Sequence, residues 1–210
     1  MAVKNTKPFA VKGATVTTPK GKAEWCKITE PDRMYNDKGE LSTSLVCDPN
    51  DPTVQEFISK LETLRDLAFE ETKETLGMPK ANQVKTKEVY SEQYNSNGEA
   101  TGNIIFKMKL KDIDTRKERG DQHTIFVVDA KRSRMADVPL VGNGSEIRCV
   151  CYANPYYMAN TKEVGISMIW SKMQLIKLVE YTGGGADDFE DEEGFEDPKV
   201  DSDFSEEDDF

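Results

Sequence analysis

Apolar and polar residues alternate along several stretches of this chain, a pattern typical of half-buried β-strands. The clearest stretch is 103–111, in which Phe106, Met108 and Leu110 alternate with three lysines. Other segments rich in β-branched and apolar residues lie between clusters of turn-forming residues. They predict strands at 23–29, 41–47, 123–130 and 145–158.

One segment has helical periodicity instead. Val54, Phe57 and Leu61 recur at spacings of three and four residues, and the opposite face is charged. The pattern predicts one amphipathic helix over about 53–76, packed on a sheet and ended by Gly77. Its start fits a capping box at Thr53 and Glu56, or equally an opening at Pro52 or Asp51.

Residues 164–181 fit either a helix or a strand. Ile169 and Met173 fit a helical face, whereas Met168 fits the alternating face of a strand. The alternation changes phase near Ser171, as a β-bulge would cause. Because the surrounding segments predict strands, we interpret this segment as a strand.

The order of these elements predicts the architecture. Residues 80–102 are polar and predict a loop. A series of short strands with one helix inserted predicts a mainly β protein, a five-stranded antiparallel barrel resembling the oligonucleotide-binding (OB) fold. We expect this domain to span 1–182 and to be followed by a disordered acidic C-terminal tail at 183–210.

Charge separates the tail from the rest of the chain. Residues 183–210 carry fourteen acids and one base, whereas residues 1–182 carry 27 bases and 25 acids. A mildly basic body is therefore tethered to a strongly acidic end, and the two attract each other. The tail also contains four scattered aromatic residues, Phe189, Phe195, Phe204 and Phe210.

The sequence contains no catalytic constellation. Its single histidine, His123, opens an apolar strand, and Cys149 and Cys151 lack the spacing of zinc ligands. We expect buried reduced thiols and no enzymatic activity, metal or cofactor. No run of eighteen apolar residues and no signal-peptide core are present, which predicts a cytoplasmic protein that does not enter a membrane.

Basic residues offer candidate contacts for a polyanion. Lys107, Lys109 and Lys111 form a stripe about 7 Å apart along one strand face, close to the spacing of phosphates on a single nucleic-acid strand. An ordinary solvated sheet face explains these three lysines equally well. Other candidates are Arg33 and Lys38 in the first hairpin, Lys131, Arg132 and Arg134 after the buried strand, and Arg148.

Tyrosines near the end of one strand offer a second kind of contact. Tyr156 and Tyr157 are placed by the pattern in a strand-end loop, where both cannot be core. Tyr152 shares a strand face with Arg148. Exposed aromatic rings beside a basic groove suit unpaired bases of any sequence, with about 1–3 kcal/mol for each stacked base.

The tail suggests a mimic of nucleic acid. Its carboxylates resemble a phosphate chain and its phenylalanines resemble bases, and a flexible chain of this length spans roughly 30 Å. It could occupy the groove of its own body until nucleic acid displaces it. The alternative is a tail that only increases solubility, although a terminal Phe210 adds nothing to solubility.

Several stretches together resemble the single-stranded DNA-binding proteins of tailed bacteriophages, of the kind that work beside a phage polymerase and primase–helicase. The most specific stretch is DVPLVGNGS through the GGG that precedes the tail, and EPD, KGELSTSL and NPYY add to it. The resemblance implies an OB barrel with an inserted helix, and a tail that competes with DNA and docks on replication proteins.

The resemblance also implies roles for particular residues. Lys38 matches a basic DNA-contacting residue of the family, Tyr156 its stacking aromatic and Phe210 its terminal aromatic. Tyr157 stands where the family has a differently spaced aromatic pair, so either Tyr152 or Tyr157 is the second stacking residue. The implied partner-binding end comprises Phe204, Asp208, Asp209 and Phe210.

These observations predict a protein that binds single-stranded DNA without sequence preference during phage replication, recombination and repair. The implied partners are single-stranded DNA, the replicative DNA polymerase and the primase–helicase. A homodimer is a further implied partner, since some members of the family dimerise through the tail. The alternatives are an acidic-tailed protein-interaction adaptor and an RNA-binding chaperone of the same fold.

Overall fold

The computed structural model describes residues 8–34, 37, 39–111 and 123–180. This part of the chain contains nine strands, one α-helix and one short 3₁₀ helix. In chain order they are β1 (Ala14–Thr17), β2 (Gly21–Asp32), β3 (Glu40–Cys47), α1 (Pro52–Leu76), the 3₁₀ helix (Lys80–Gln83), β4 (Lys85–Thr86), β5 (Ser91–Tyr94), β6 (Ala100–Lys111), β7 (Phe126–Val128), β8 (Glu146–Met158) and β9 (Glu163–Lys177).

Five strands close into a ring in the order β2, β3, β6, β9, β8 and back to β2. Four of these contacts are antiparallel, whereas β6 and β9 run parallel and pair only at Met108–Met168 and Lys109–Ile169. The shorter strands extend the ring at its edges. The result is a sheet ring rather than a clean barrel, and it confirms the mainly β, OB-like fold.

The core lies inside this ring, where inward-facing side chains of the five strands meet. Trp170, Phe106 and Met108 are fully buried there. Helix α1 packs on the ring through Phe57, whose ring meets Phe106 edge-on with centroids 5.1 Å apart. Each buried aromatic or aliphatic side chain of this kind contributes about 1.5–3 kcal/mol relative to exposure.

The helix begins and ends close to where the sequence predicts. The Asp51 side chain accepts a hydrogen bond from the backbone N–H of Thr53, and Pro52 occupies the first turn. Asp51 is therefore the N-cap, which decides among the alternative starts. Gly77 ends the helix with φ near +60°, a conformation that favours glycine.

The ambiguous segment is a strand, β9, and it contains the expected bulge. Lys172 pairs with Val150 and Trp170 with Cys151, so Ser171 has no partner in the ladder. Its hydroxyl instead donates to the carbonyl oxygen of Val150, 2.9 Å away. The bulge lets both halves of this long strand keep their apolar side chains on the core side.

Two local predictions are wrong. The segment 80–102 is not simply a loop, because it contains the 3₁₀ helix and strands β4 and β5, which pair with β9 and β6. The tyrosine pair at 156–157 lies within β8 rather than in a loop after it. The described residues include no helix long and apolar enough to cross a membrane.

Candidate nucleic-acid interface

One row of side chains crosses six neighbouring strands on the outer face of the sheet. Strand register pairs Lys27 with Ser42, Ser42 with Lys109 and Lys109 with Ile169. The row continues from Ile169 to Tyr152 and then to Thr15 on β1. Directly paired residues point to the same side of the sheet, so Lys109 and Tyr152 both lie on the outside of the ring, two strands apart, although 43 positions separate them in sequence.

The lysine stripe lies on this outer face. Lys107, Lys109 and Lys111 are exposed, and the residues between them face the core. The Nζ atom of Lys109 lies 2.6 Å from Oε1 of Glu40 on β3. The stripe therefore presents positive charge to solvent with one of its three ammonium groups neutralised by a carboxylate.

Tyr152 projects from β8 over a glycine of the neighbouring segment. A Cβ atom at Gly13 would lie 2.7 Å from the Tyr152 ring, a distance that real Cβ contacts do not reach. Any larger residue at position 13 would push the ring away. The ring rests on the backbone there, and the side chain keeps 40% of its surface exposed.

Tyr156 packs against a glycine of β9, which pairs with β8 on the edge opposite to Gly13. A Cβ at Gly165 on β9 would lie 2.6 Å from the hydroxyl oxygen of Tyr156. Tyr152 and Tyr156 share the outer face of β8, about 14 Å apart along the strand. Each ring packs against a glycine backbone, and each side chain keeps part of its surface exposed, on which a base can stack.

Tyr157 points to the opposite side of β8. Its side chain is half buried and packs on a second apolar cluster formed by Ala68, Val84 and Val164. It is therefore separated from the face that carries Tyr152 and Tyr156. Of the two candidates for the second stacking residue, Tyr152 lies on the outer face of β8 with Tyr156, whereas Tyr157 packs on the second apolar cluster.

Arg148 lies at the far end of the outer face of β8, beside Gln174 on β9. The Gln174 side chain donates to the carbonyl oxygen of Ala130, 3.1 Å away, in the turn that carries Lys131 and Arg132. The turn that carries Lys131 and Arg132 therefore contacts the residue paired with Arg148. Nearby, the guanidinium of Arg134 sits over the exposed ring of Phe126, 5.4 Å from its centroid.

The structure describes one further predicted site residue, Arg33. Arg33 is exposed in the β2–β3 connection, where its guanidinium donates to the carbonyl oxygen of Asp37 at 2.9 Å. Lys38 and the tail residues Phe204, Asp208, Asp209 and Phe210 fall outside the described residues.

Sequence reasoning missed several residues on or beside this face. Lys27 and Ile169 join the row only through strand register, which no local pattern reveals. Trp25 is 71% exposed and adopts φ +52°. Trp25 and Cys26 are adjacent apolar residues, so the alternation of 23–29 changes phase there, and this change was the available signal of the bulge that exposes Trp25.

The four cysteines are free thiols, as predicted, and they lie in or against the core. Burial raises the pKa of Cys26 to about 11 and the pKa values of Cys47 and Cys151 to about 12. Neutral thiols of this kind are poor nucleophiles and poor metal ligands. Within the described ranges no three histidine, cysteine or acidic side chains form a group that could hold a metal ion.

A closed five-stranded β ring is the architecture of the oligonucleotide-binding (OB) class of folds, and here its outer surface carries lysine and tyrosine side chains. Residues 20–180 match the family model described as single-stranded DNA-binding protein of bacteriophage T7. The chain belongs to this family, which confirms the resemblance found in the sequence. The members of the family are binding proteins, in agreement with the expectation that the chain is not an enzyme.

Individual relatives agree with this assignment. The single-stranded DNA-binding protein of Escherichia phage T7 is 29% identical over 96 residues, and that of Enterobacteria phage T3 is 26% identical over 96 residues. Each match covers 46% of this chain and 41% of the relative. The crystal structure of the T7 protein superposes with a TM-score of 0.66 at 22% identity, covering 88% of this chain and 99% of that one, and shows the shared fold.

Proposed function

We propose that this chain binds single-stranded DNA without sequence preference. The observation that carries the proposal is the row in which Lys27, Lys109 and Tyr152 cross the outer face of the ring. Membership of the T7 family supports it, as do the names of the T7 and T3 relatives.

In the proposed mechanism, basic side chains bind the phosphates and aromatic rings stack on the bases. The lysines at 27, 107, 109 and 111 attract phosphates, together with Arg148, Lys131 and Arg132 at one end of the face. The unpaired bases stack on Tyr152 and Tyr156. Every base has a π-face, so stacking of this kind tolerates any sequence. A duplex keeps its bases paired and stacked internally, so it can use only the phosphate contacts.

Titration with matched oligonucleotides tests this proposal. The full chain should bind a labelled single strand much more tightly than the duplex of the same sequence, with similar affinity for several sequences. The logarithm of its affinity should fall linearly with the logarithm of salt concentration, by about 0.7 for each phosphate contacted. Equal affinity for single strand and duplex, or no binding at low salt, would contradict the proposal.

We further propose that the acidic tail competes with DNA for the body. Its net charge of −13 opposes the basic body, and its length spans roughly 30 Å. The last described residue, Glu180, forms a β-bridge with Val141, which lines the same cavity as Lys27 of the row. Deleting 183–210 should tighten binding to single-stranded DNA at low salt, and unchanged affinity would contradict the competition.

The finer role proposed for the chain is support of phage DNA replication, recombination and repair in the cytoplasm of an infected bacterium. In this role the tail recruits the replicative polymerase and primase–helicase once DNA has displaced it, and it can also join two copies of the chain. The aromatic and acidic composition of Phe204 to Phe210 suits a basic partner surface. Pull-down of those partners by the full chain but not by the tail-less chain tests this role.

A further inference from the structure

The bulge in β2 leaves a tryptophan side chain exposed, so burial of this side chain contributes little to the stability of the fold. Glu24 pairs with Ser44 and Lys27 with Ser42, so two residues of β2 oppose one residue of β3. Trp25 is the outward residue of the two, and 71% of its surface is exposed. Cys26, the other residue, packs against the core.

The backbone of Trp25 is held in an unfavourable conformation. Its φ of +52° lies in the left-handed region, which is strained for a bulky residue. Its backbone N–H donates to the side-chain oxygen of Asn143 at 2.9 Å, which fixes the bulge in place. Glycine would satisfy this backbone at lower cost, so stability alone does not explain a tryptophan here.

The indole ring borders a small open cavity. The cavity has a volume of about 160 Å³, and its lining includes Trp25, Lys27, Leu140 and Asn143. Leu140 is itself half exposed, so the ring and this leucine offer adjacent apolar surface to solvent. Lys27 supplies a cation to the same cavity, and Glu30 supplies a carboxylate on its other side.

The cavity continues the row that crosses the sheet. Lys27 lines the cavity and also stands in register with Ser42 and Lys109. Neighbouring strands lie about 4.8 Å apart, so Lys27 is roughly 10 Å from Lys109 around the outside of the ring, and Tyr152 is roughly 10 Å further around it. A single strand that crosses the sheet along this row reaches the Trp25 cavity at its β2 end.

We propose that Trp25 and Lys27 form a nucleotide subsite, in which a base stacks on the indole and its phosphate pairs with the Lys27 ammonium. The inference rests on the proposed binding of single-stranded DNA and extends that interface by one strand beyond the lysine stripe. It makes Trp25 a third stacking ring, at the opposite end of the row from Tyr152. The Asn143 hydrogen bond positions this ring but does not contact the base.

Tryptophan fluorescence gives a direct test, because the chain has two tryptophans in opposite environments. Trp170 is fully buried in the core, whereas Trp25 is exposed. Emission of the full chain should fall when it is titrated with an oligothymidylate of about 16 nucleotides. In Trp25→Phe the remaining emission, from Trp170, should stay constant while a label on the oligonucleotide still reports binding.

Affinity and folding stability separate a binding role from a structural one. Trp25→Ala should weaken binding by about 5- to 150-fold, the loss of one stacked base. Trp25→Gly should weaken it equally without lowering Tm, because glycine accepts the positive φ. Lys27→Gln should reduce the slope of log affinity against log salt by about 0.7.

The outcomes distinguish this subsite from the wider proposal. Tight binding by the full chain, with unchanged tryptophan emission and undiminished affinity in Trp25→Gly, would overturn the subsite and leave the proposed function standing. Absence of single-strand binding by the full chain would overturn both.

Discussion

The ammonium nitrogen of Lys109 lies 2.6 Å from Oε1 of Glu40, although these residues are not opposite each other in the β3–β6 ladder. Ser42 is the direct partner of Lys109, and the lysine reaches diagonally to the carboxylate. Both groups are partly exposed, so the pair contributes only about 0.2–1 kcal/mol to stability. A phosphate arriving at Lys109 must therefore displace a weakly held carboxylate.

Removing that carboxylate should strengthen DNA binding. Glu40→Gln leaves the shape of the site intact and frees Lys109, so the affinity for single-stranded DNA should rise by about two- to five-fold at low salt. Fluorescence anisotropy of a labelled oligonucleotide measures the change. Glu56→Gln, which frees Lys60 on α1 from its 2.7 Å ion pair, is the matched control and should leave affinity unchanged.

The lysine stripe should set the salt dependence of binding. Replacing Lys107, Lys109 and Lys111 together by glutamine should lower the slope of log affinity against log salt by about two, since each single-strand phosphate contributes about 0.7. Replacing only Lys60 on the helix removes an exposed lysine far from the row and should not change the slope. An unaltered slope in the triple variant would show that the stripe is an ordinary solvated sheet face.

Neighbouring tyrosines on β8 should have opposite phenotypes. Tyr156→Ala should weaken binding by about 5- to 150-fold with little change in the free energy of unfolding. Tyr157→Ala should leave affinity unchanged but lower the free energy of unfolding by about 1–3 kcal/mol, because Tyr157 packs on Val164 and its cluster. Tyr156→Phe keeps the ring and should bind as the parent chain does. Reversed phenotypes would place the DNA on the other side of the strand.

Stability should decline in alkali because of the buried thiols. Burial raises the pKa of Cys26 to about 11 and those of Cys47 and Cys151 to about 12, against an ordinary value near 9. The folded chain then keeps protons that the unfolded chain releases, so the free energy of unfolding is at its full value below pH 9 and falls as pH rises above it. The loss approaches about 1.4 kcal/mol for each thiol and pH unit.

Urea denaturation at a series of pH values measures this loss. A Cys47→Ala/Cys151→Ala variant should start from a lower stability but show a flatter decline above pH 9, because two of the titrating groups are gone. An equally steep decline in this variant would assign the effect to other groups.

The alternation of residues predicted the faces of single strands but not which strands would be neighbours. The side chains of Lys107 and Lys109 point outward as the pattern of 103–111 predicts. Their relation to Tyr152 depends on the register of β6 with β9 and of β9 with β8, which involves residues far apart in sequence. Such contacts come from global packing rather than from local propensity.

Other features were not predicted because they depend on contacts between residues that are far apart in the sequence. Strands β4 and β5 lie in a polar segment, and their extended form results from pairing with β9 and β6. The Trp25 bulge is fixed by Asn143, more than a hundred residues away in the chain. Both bulges shift the phase of an apolar alternation, at Trp25–Cys26 in β2 and at Ser171 in β9, but only the longer alternation around Ser171 predicted its bulge.

In the proposed complex a single strand of DNA crosses the outside of the ring from β8 to β2. Photocrosslinking of the full chain to an oligonucleotide of bromodeoxyuridine, followed by mass spectrometry of the peptides, maps this path. Crosslinks should fall on Tyr152 and Tyr156 in β8 and on Trp25 in β2. Crosslinks confined to helix α1, or to Tyr157 and its cluster, would overturn the proposed path.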